Sequence, residues 1–173
     1  MARISLIDEN ASPEIAAIAQ RIRGGRGGVL HPFYEALLHA PALATAWYDF
    51  NNAVRFGNRL DERSRELVIM RVAVLTGCEF VWSVHEAKYA VPAGVEPAEM
   101  AALRAPDRAS GFSPRDQAML DYVDAMTRDV KVSDAVFDAL RPHFSEPEIM
   151  ELTVIVCGYN MHTRLVMALD IRP

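Results

Sequence analysis

Apolar residues recur at helical spacing along most of this chain, with prolines and glycines between the recurrences. Ser12-Pro13-Glu14 has the form of a cap followed by proline at the first helical position, and predicts a short helix to about Arg23. Gly24-Gly25-Arg26-Gly27-Gly28 then breaks the pattern. No strand precedes this run and no Gly-Lys-Ser/Thr closes it, so it is not a phosphate-binding loop. It reads as a flexible connector, with anion contact through its arginine as the sharper alternative. His31-Pro32 opens another short helix to about His39. Pro41 starts a longer one in which Leu43, Ala44, Trp47, Phe50 and Val54 recur, and Gly57-Asn58 ends it. Asp61 can cap a helix from Glu62 to Leu75. The almost wholly apolar run from Leu67 to Leu75 makes that helix central and buried.

Thr76-Gly77-Cys78-Glu79 has capping-box spacing, with Thr76 as the cap and Cys78 as the second helical residue. That helix ends near Val91-Pro92-Ala93-Gly94. Short helices follow over Glu96 to Leu103 and Ser133 to Leu140. Between them lie a loop over residues 106–111 and an amphipathic helix from Pro114 to Thr127, with Ala118, Met119, Tyr122, Val123 and Met126 on one face. The last helix, Pro147 to about Ala168, is apolar on nearly every side in its middle, so it is either central or buried at a subunit contact. Alternating β-branched runs are scarce. The pattern predicts an all-α fold in one domain over residues 1–173.

Composition narrows the function classes. Apolar residues make up 51% of the 173 and charged residues 24%, which is ordinary globular composition. A net charge of −5 disfavours a nucleic-acid or anionic-membrane binder. The first residues hold no long apolar stretch of the secretory type, and no run of 18 apolar residues suggests a membrane span. Two cysteines, Cys78 and Cys157, make no disulfide framework, and a reducing cytosol is the expected location.

The candidate chemistry lies around Cys78 and His85. Cys78, Val81, Trp82 and His85 fall at i, i+3, i+4 and i+7, one face of a helix. A helix start favours thiolate at Cys78. Two turns are about 10 Å of rise, so a bare thiol–imidazole pair can equally be a core cysteine and a hydrogen-bonded core histidine. Glu66 opens the apolar run Leu67-Val68-Ile69-Met70. It reads either as a partner orienting His85 or as an ordinary first-turn glutamate paired to Arg59 or Arg63. Arg71 interrupts the same run, and its charge needs a structural counter-ion or a substrate carboxylate. Trp82 walls a pocket or fills core. Tyr89 and Tyr159 read as core or interface aromatics, His162 as a surface or interface residue, and Cys157 as an inert core thiol. No residue cluster matches a zinc pattern, and no cofactor motif is present.

Arg65-Glu66-Leu67-Val68-Ile69, Arg71-Val72-Ala73, Leu75-Thr76-Gly77-Cys78-Glu79-Phe80 and His85 together resemble the carboxymuconolactone decarboxylase-like superfamily, which includes the alkylhydroperoxidase D proteins. The resemblance is strongest over residues 59–95. It implies an alkylhydroperoxidase D-like helical domain that assembles into trimers or hexamers, with no cofactor. In the peroxidase branch a glutamate, a Cys-x-x-Cys pair and a histidine form a relay. Glu66, Cys78 and His85 match the glutamate, the first cysteine and the histidine. Val81 stands where the second, peroxide-attacking cysteine would be, which argues against the usual dithiol cycle.

Three functions remain open. The first is a cofactor-free acid–base enzyme (decarboxylase, lyase or isomerase) on a small carboxylated compound, with Glu66 and His85 as relay, Cys78 beside them, and Arg71 and Trp82 binding substrate. The second is a single-cysteine peroxidase using Cys78. The third is a non-catalytic oligomer that binds a small molecule.

Overall fold

The computed structural model describes residues 2–105 and 111–172. Among these every regular element is helical: α1 (Pro13–Gly24), α2 (Pro32–Leu37), α3 (Pro41–Phe56), α4 (Glu62–Thr76), α5 (Glu79–His85), a π-helical turn Glu86–Ala90, α6 (Pro97–Arg104), α7 (Pro114–Arg128), α8 (Asp134–Asp138) and α9 (Glu146–Ala168). The all-α expectation holds. Most of the loop expected at 106–111 lies outside the described residues.

α4 is the axis of the fold. Every side chain from Ser64 to Ala73 is buried, and the helix packs against α9, α7 and α5. Its start follows from Asp61, whose side chain accepts from the Ser64 amide at 2.8 Å. Its end corrects the expected capping box. Thr76 belongs to the last turn of α4, where its hydroxyl donates back to the Val72 carbonyl at 2.8 Å. Gly77 then takes the left-handed conformation (φ 68°) that closes a helix at low cost only for glycine. Cys78 is therefore the N-cap of α5, not its second helical residue, and its backbone is non-helical (φ −88°, ψ 81°).

α9 buries Ile149, Leu152, Ile155, Val156, Tyr159 and Val166, while Met150, Met161 and Met167 are exposed. Cys157 lies on the exposed side, which overturns the core-thiol expectation: its apolar sequence neighbours turn inward and it does not. The glycine-rich connector is also more ordered than its composition suggests. Arg26 is buried and bonds Asn52 Oδ1 (2.7 Å), the Gly25 carbonyl (3.1 Å) and Tyr34 Oη (3.2 Å). Gly25 lies so close to Tyr48 that a Cβ there would fall 1.9 Å from the phenol oxygen.

Candidate active site

Glu66 is on the second turn of α4, and His85 is the last residue of α5. The packing of these two helices brings His85 Nδ1 to 2.6 Å from Glu66 Oε2, with both residues buried. On the other side of the ring, Tyr159 Oη from α9 lies 3.3 Å from Nε2. A π-helical turn directly after His85 carries Tyr89, whose ring centroid is 5.1 Å from the imidazole. Such wide turns are often found at functional sites.

Electrostatics assign the protons. Burial pushes the Glu66 carboxyl up, but the His85 hydrogen bond and the charges of His85, Arg55 and Arg65 outweigh it, and the net shift is downward. Burial pulls His85 below its ordinary value, with Glu66 opposing. The neutral-pH pair is thus a carboxylate and a neutral imidazole. Nδ1–H donates to Glu66, and Nε2 is left as a base that accepts from Tyr159. Burial raises the Tyr159 phenol well above its usual range, so it keeps the proton it donates.

His85 opens on a pocket of about 60 Å³ between α2, α3, α5 and α9. Aromatic rings form much of its wall: Phe33, Tyr34, Phe80, Tyr89, Tyr159 and His162. Val81 and Val84 complete the α5 side. His162 stacks on Phe33 with ring centroids 4.0 Å apart. Burial, then the charges of His85, Arg55 and Arg26, take its pKa down to about 3. An unfolded histidine titrates near 6.5. Between these values the unfolded chain holds more protons, so acid destabilises the fold through His162. His162→Phe is expected to flatten the fall of Tm between pH 6.5 and 4, where one such proton contributes at most about 1.4 kcal/mol per pH unit. An unchanged pH profile of thermal melting would contradict this.

The other expected site residues lie elsewhere. Cys78 is 1% exposed and is not part of the pocket wall. Burial raises its thiol pKa, and the amides of Val81 and Phe80 offset this only in part. This is the reverse of the thiolate-favouring environment expected for a redox cysteine. With a maleimide on the native protein, Cys157 is expected to label much faster than Cys78, as read by peptide mass spectrometry. Equal rates would show that Cys78 is accessible. Trp82 also turns away from the pocket: its indole N–H donates to Glu86 at 3.1 Å, and the Arg104 guanidinium covers its ring at 3.9 Å. Arg71 forks onto both oxygens of Asp124 at 2.7 Å and donates to the Leu103 carbonyl, so it is a structural ion and not a substrate clamp.

Several pocket residues carry weaker signals in the sequence. Tyr159 and His162, expected in core or at a surface, share a face of α9 one turn apart, a spacing that marks them as a pair. Arg55 is absent from the expected site. It falls seven residues after Tyr48 and eleven after Ala44, on the buried face of α3, where a charge is out of place. Among the described residues, no three His, Cys, Asp or Glu side chains gather as a metal site requires.

A model of the carboxymuconolactone decarboxylase family matches residues 41–125, from the start of α3 into α7. Over that segment the chain is similar to the carboxymuconolactone decarboxylase family. The chain has no Cys-x-x-Cys pair, since Val81 stands three residues after Cys78. The uncharacterized protein YdfG of Bacillus subtilis (strain 168) is 25% identical over 115 residues, 65% of this chain and 78% of its own. An uncharacterized peroxidase-related protein from Ralstonia eutropha JMP134, described as an alkylhydroperoxidase AhpD core, superposes with a TM-score of 0.85 at 21% identity, covering 99% of this chain and 92% of that one. The debrominase Bmp8, solved as a cysteine-to-alanine variant in complex with 2,3,4-tribromopyrrole, gives 0.79 at 16% identity over 98% and 90% of the two chains. At these identities the likeness speaks to the fold. Glu66 and His85 both fall inside the segment matched by the family model, whereas Tyr159 and His162 lie beyond it.

Proposed function

We propose that this protein is a cofactor-free acid–base enzyme of the decarboxylase, lyase or isomerase type, acting on a small carboxylated compound. The carrying observation is the buried Glu66–His85 pair with Nε2 turned to an aromatic pocket. His85 takes a proton from the substrate at Nε2, and the Glu66 carboxylate stabilises the imidazolium that forms. The proton then returns to a different substrate atom, or to the carbon left when a group departs. In the empty pocket the Tyr159 hydroxyl occupies the Nε2 lone pair at 3.3 Å, so it turns aside when the substrate proton is taken. Cys78, buried at the α5 start, takes no part. That burial, with the upward shift of its pKa, is what sets the peroxidase reading second.

In the same reading the chain works as a homo-oligomer, a trimer or hexamer, in the cytoplasm. Support for assembly comes from Leu43, Phe50 and Phe56 on α3 and Met150, Met161 and Met167 on α9, large apolar side chains left exposed.

Incubation in D2O with a panel of small oxo- and unsaturated carboxylic acids, followed by proton NMR, tests the chemistry. Deuterium entry or rearrangement is expected with wild type and with Cys78→Ser, and not with His85→Gln. Turnover that depends on Cys78 and consumes a hydroperoxide would replace the proposal with the redox reading.

A further inference from the structure

Arg55 is 5% exposed and faces the same pocket as His85. Its guanidinium carbon lies over the Tyr89 ring, 3.9 Å from the centroid, yet Nε and Nη2 are buried and have no hydrogen-bond partner among the described residues. Buried guanidinium groups are ordinarily satisfied by a carboxylate or by carbonyls, as Arg71 is in this molecule. Arg26, the second arginine of the pocket, has its own partners in Asn52, Gly25 and Tyr34. Among the described residues, no aspartate or glutamate lines the cavity. Glu66 is the carboxylate whose charge reaches Arg55, but its Oε2 is taken by His85 and its Oε1, itself without a hydrogen bond, makes none to Arg55.

We propose that Arg55 docks the carboxylate of the substrate, with the rest of the molecule lying between the aromatic walls and its reacting atom at His85 Nε2. Nε and Nη2 are adjacent N–H donors on one edge of the guanidinium fork, the edge that fits both oxygens of a carboxylate. Tyr89 holds the guanidinium, and Nε and Nη2 are the donors left without a partner. The positive charge of the pocket adds to what burial does to its histidines. Burial, Lys88 and Arg26 lower His31, and the two arginines add to the lowering of His162. A buried, unsatisfied cation is a cost in the empty protein, and sites that trade stability for binding commonly carry such a group.

The inference rests on the acid–base reading for the identity of the reacting partner, but its test needs no turnover. Calorimetric titration of the full chain with benzoate and benzamide, and with acetate and acetamide, compares a charged ligand with a neutral one of similar shape. Wild type is expected to prefer the anion by about tenfold or more in at least one pair. Arg55→Gln is expected to abolish the preference while leaving amide binding and the ligand-free Tm unchanged or the Tm raised. Three outcomes would overturn the proposal: no charge preference in either pair with wild type, anion binding undiminished in Arg55→Gln, or a Tm lowered by several degrees, which marks a structural arginine. His85→Gln separates the two readings. It should keep anion binding while losing proton exchange. Binding without exchange in wild type sinks the acid–base enzyme and spares the docking site, and exchange without charge preference does the opposite.

Discussion

Loss of two to four orders of magnitude in turnover, about what general acid–base catalysis contributes, is the expected result of His85→Gln. The glutamine has no ring nitrogen to take a proton at the pocket side. Glu66→Gln keeps the shape and an acceptor for Nδ1–H but removes the charge that stabilises imidazolium, so most of that loss should recur. The two variants are distinguished by pH. Activity needs neutral His85, whose pKa burial holds below 6.5. The acid limb of the rate profile should therefore lie below pH 6.5. Glu66 raises the pKa of His85, so Glu66→Gln should move the limb further toward acid. A wild-type limb above pH 6.5, or a limb that moves toward alkali in Glu66→Gln, would show that another group is the base.

Arg71→Met should unfold the protein far more readily and leave ligand binding alone. The arginine joins α4 to Asp124 on α7 and to the Leu103 carbonyl on α6. Methionine fills much of the space but strands Asp124 without its main counter-ion. Breaking one side of a buried pair costs about 3–5 kcal/mol. For a chain of this size that is a fall in Tm of roughly 10 °C. Below the lowered transition, benzoate affinity should match wild type. Asp124→Asn, which removes only the charge, gives a milder form of the same test. A normal Tm with lost anion binding would restore Arg71 to the role that its position in an apolar run allowed.

The contrast between Arg55 and Arg71 shows what the sequence could and could not yield. Both are charges on buried helix faces, and a partner is required for each. The partner of Arg71 is 53 residues away, beyond any local pattern, and only packing reveals that it is satisfied while Arg55 is not. The all-α fold, the buried α4 and the Asp61 cap were legible because each rests on local spacing and one short-range bond. Glu66 and His85 were legible through the resemblance, and the 2.6 Å contact joins them. Cys78 was misplaced because Thr76-Gly77 serves two rules at once. Threonine three residues before glutamate suggests a helix start, and glycine after an apolar run suggests a helix end. The apolar run of α4 continues into its last turn, so the second rule won, and Cys78 caps α5 instead of standing second within it.

The pocket has a divided origin along the chain. Arg55, Val81, His85 and Tyr89 come from the span matched by the family model, while Arg26, His31, Phe33, Tyr34, Tyr159 and His162 come from the stretches before and after it. The proposed relay and the proposed carboxylate dock, Glu66, His85 and Arg55, all sit in the matched span, while Tyr159 and most of the aromatic wall come from outside it. Substitutions in the outer segments can therefore reshape the aromatic wall without altering the Glu66–His85 contact.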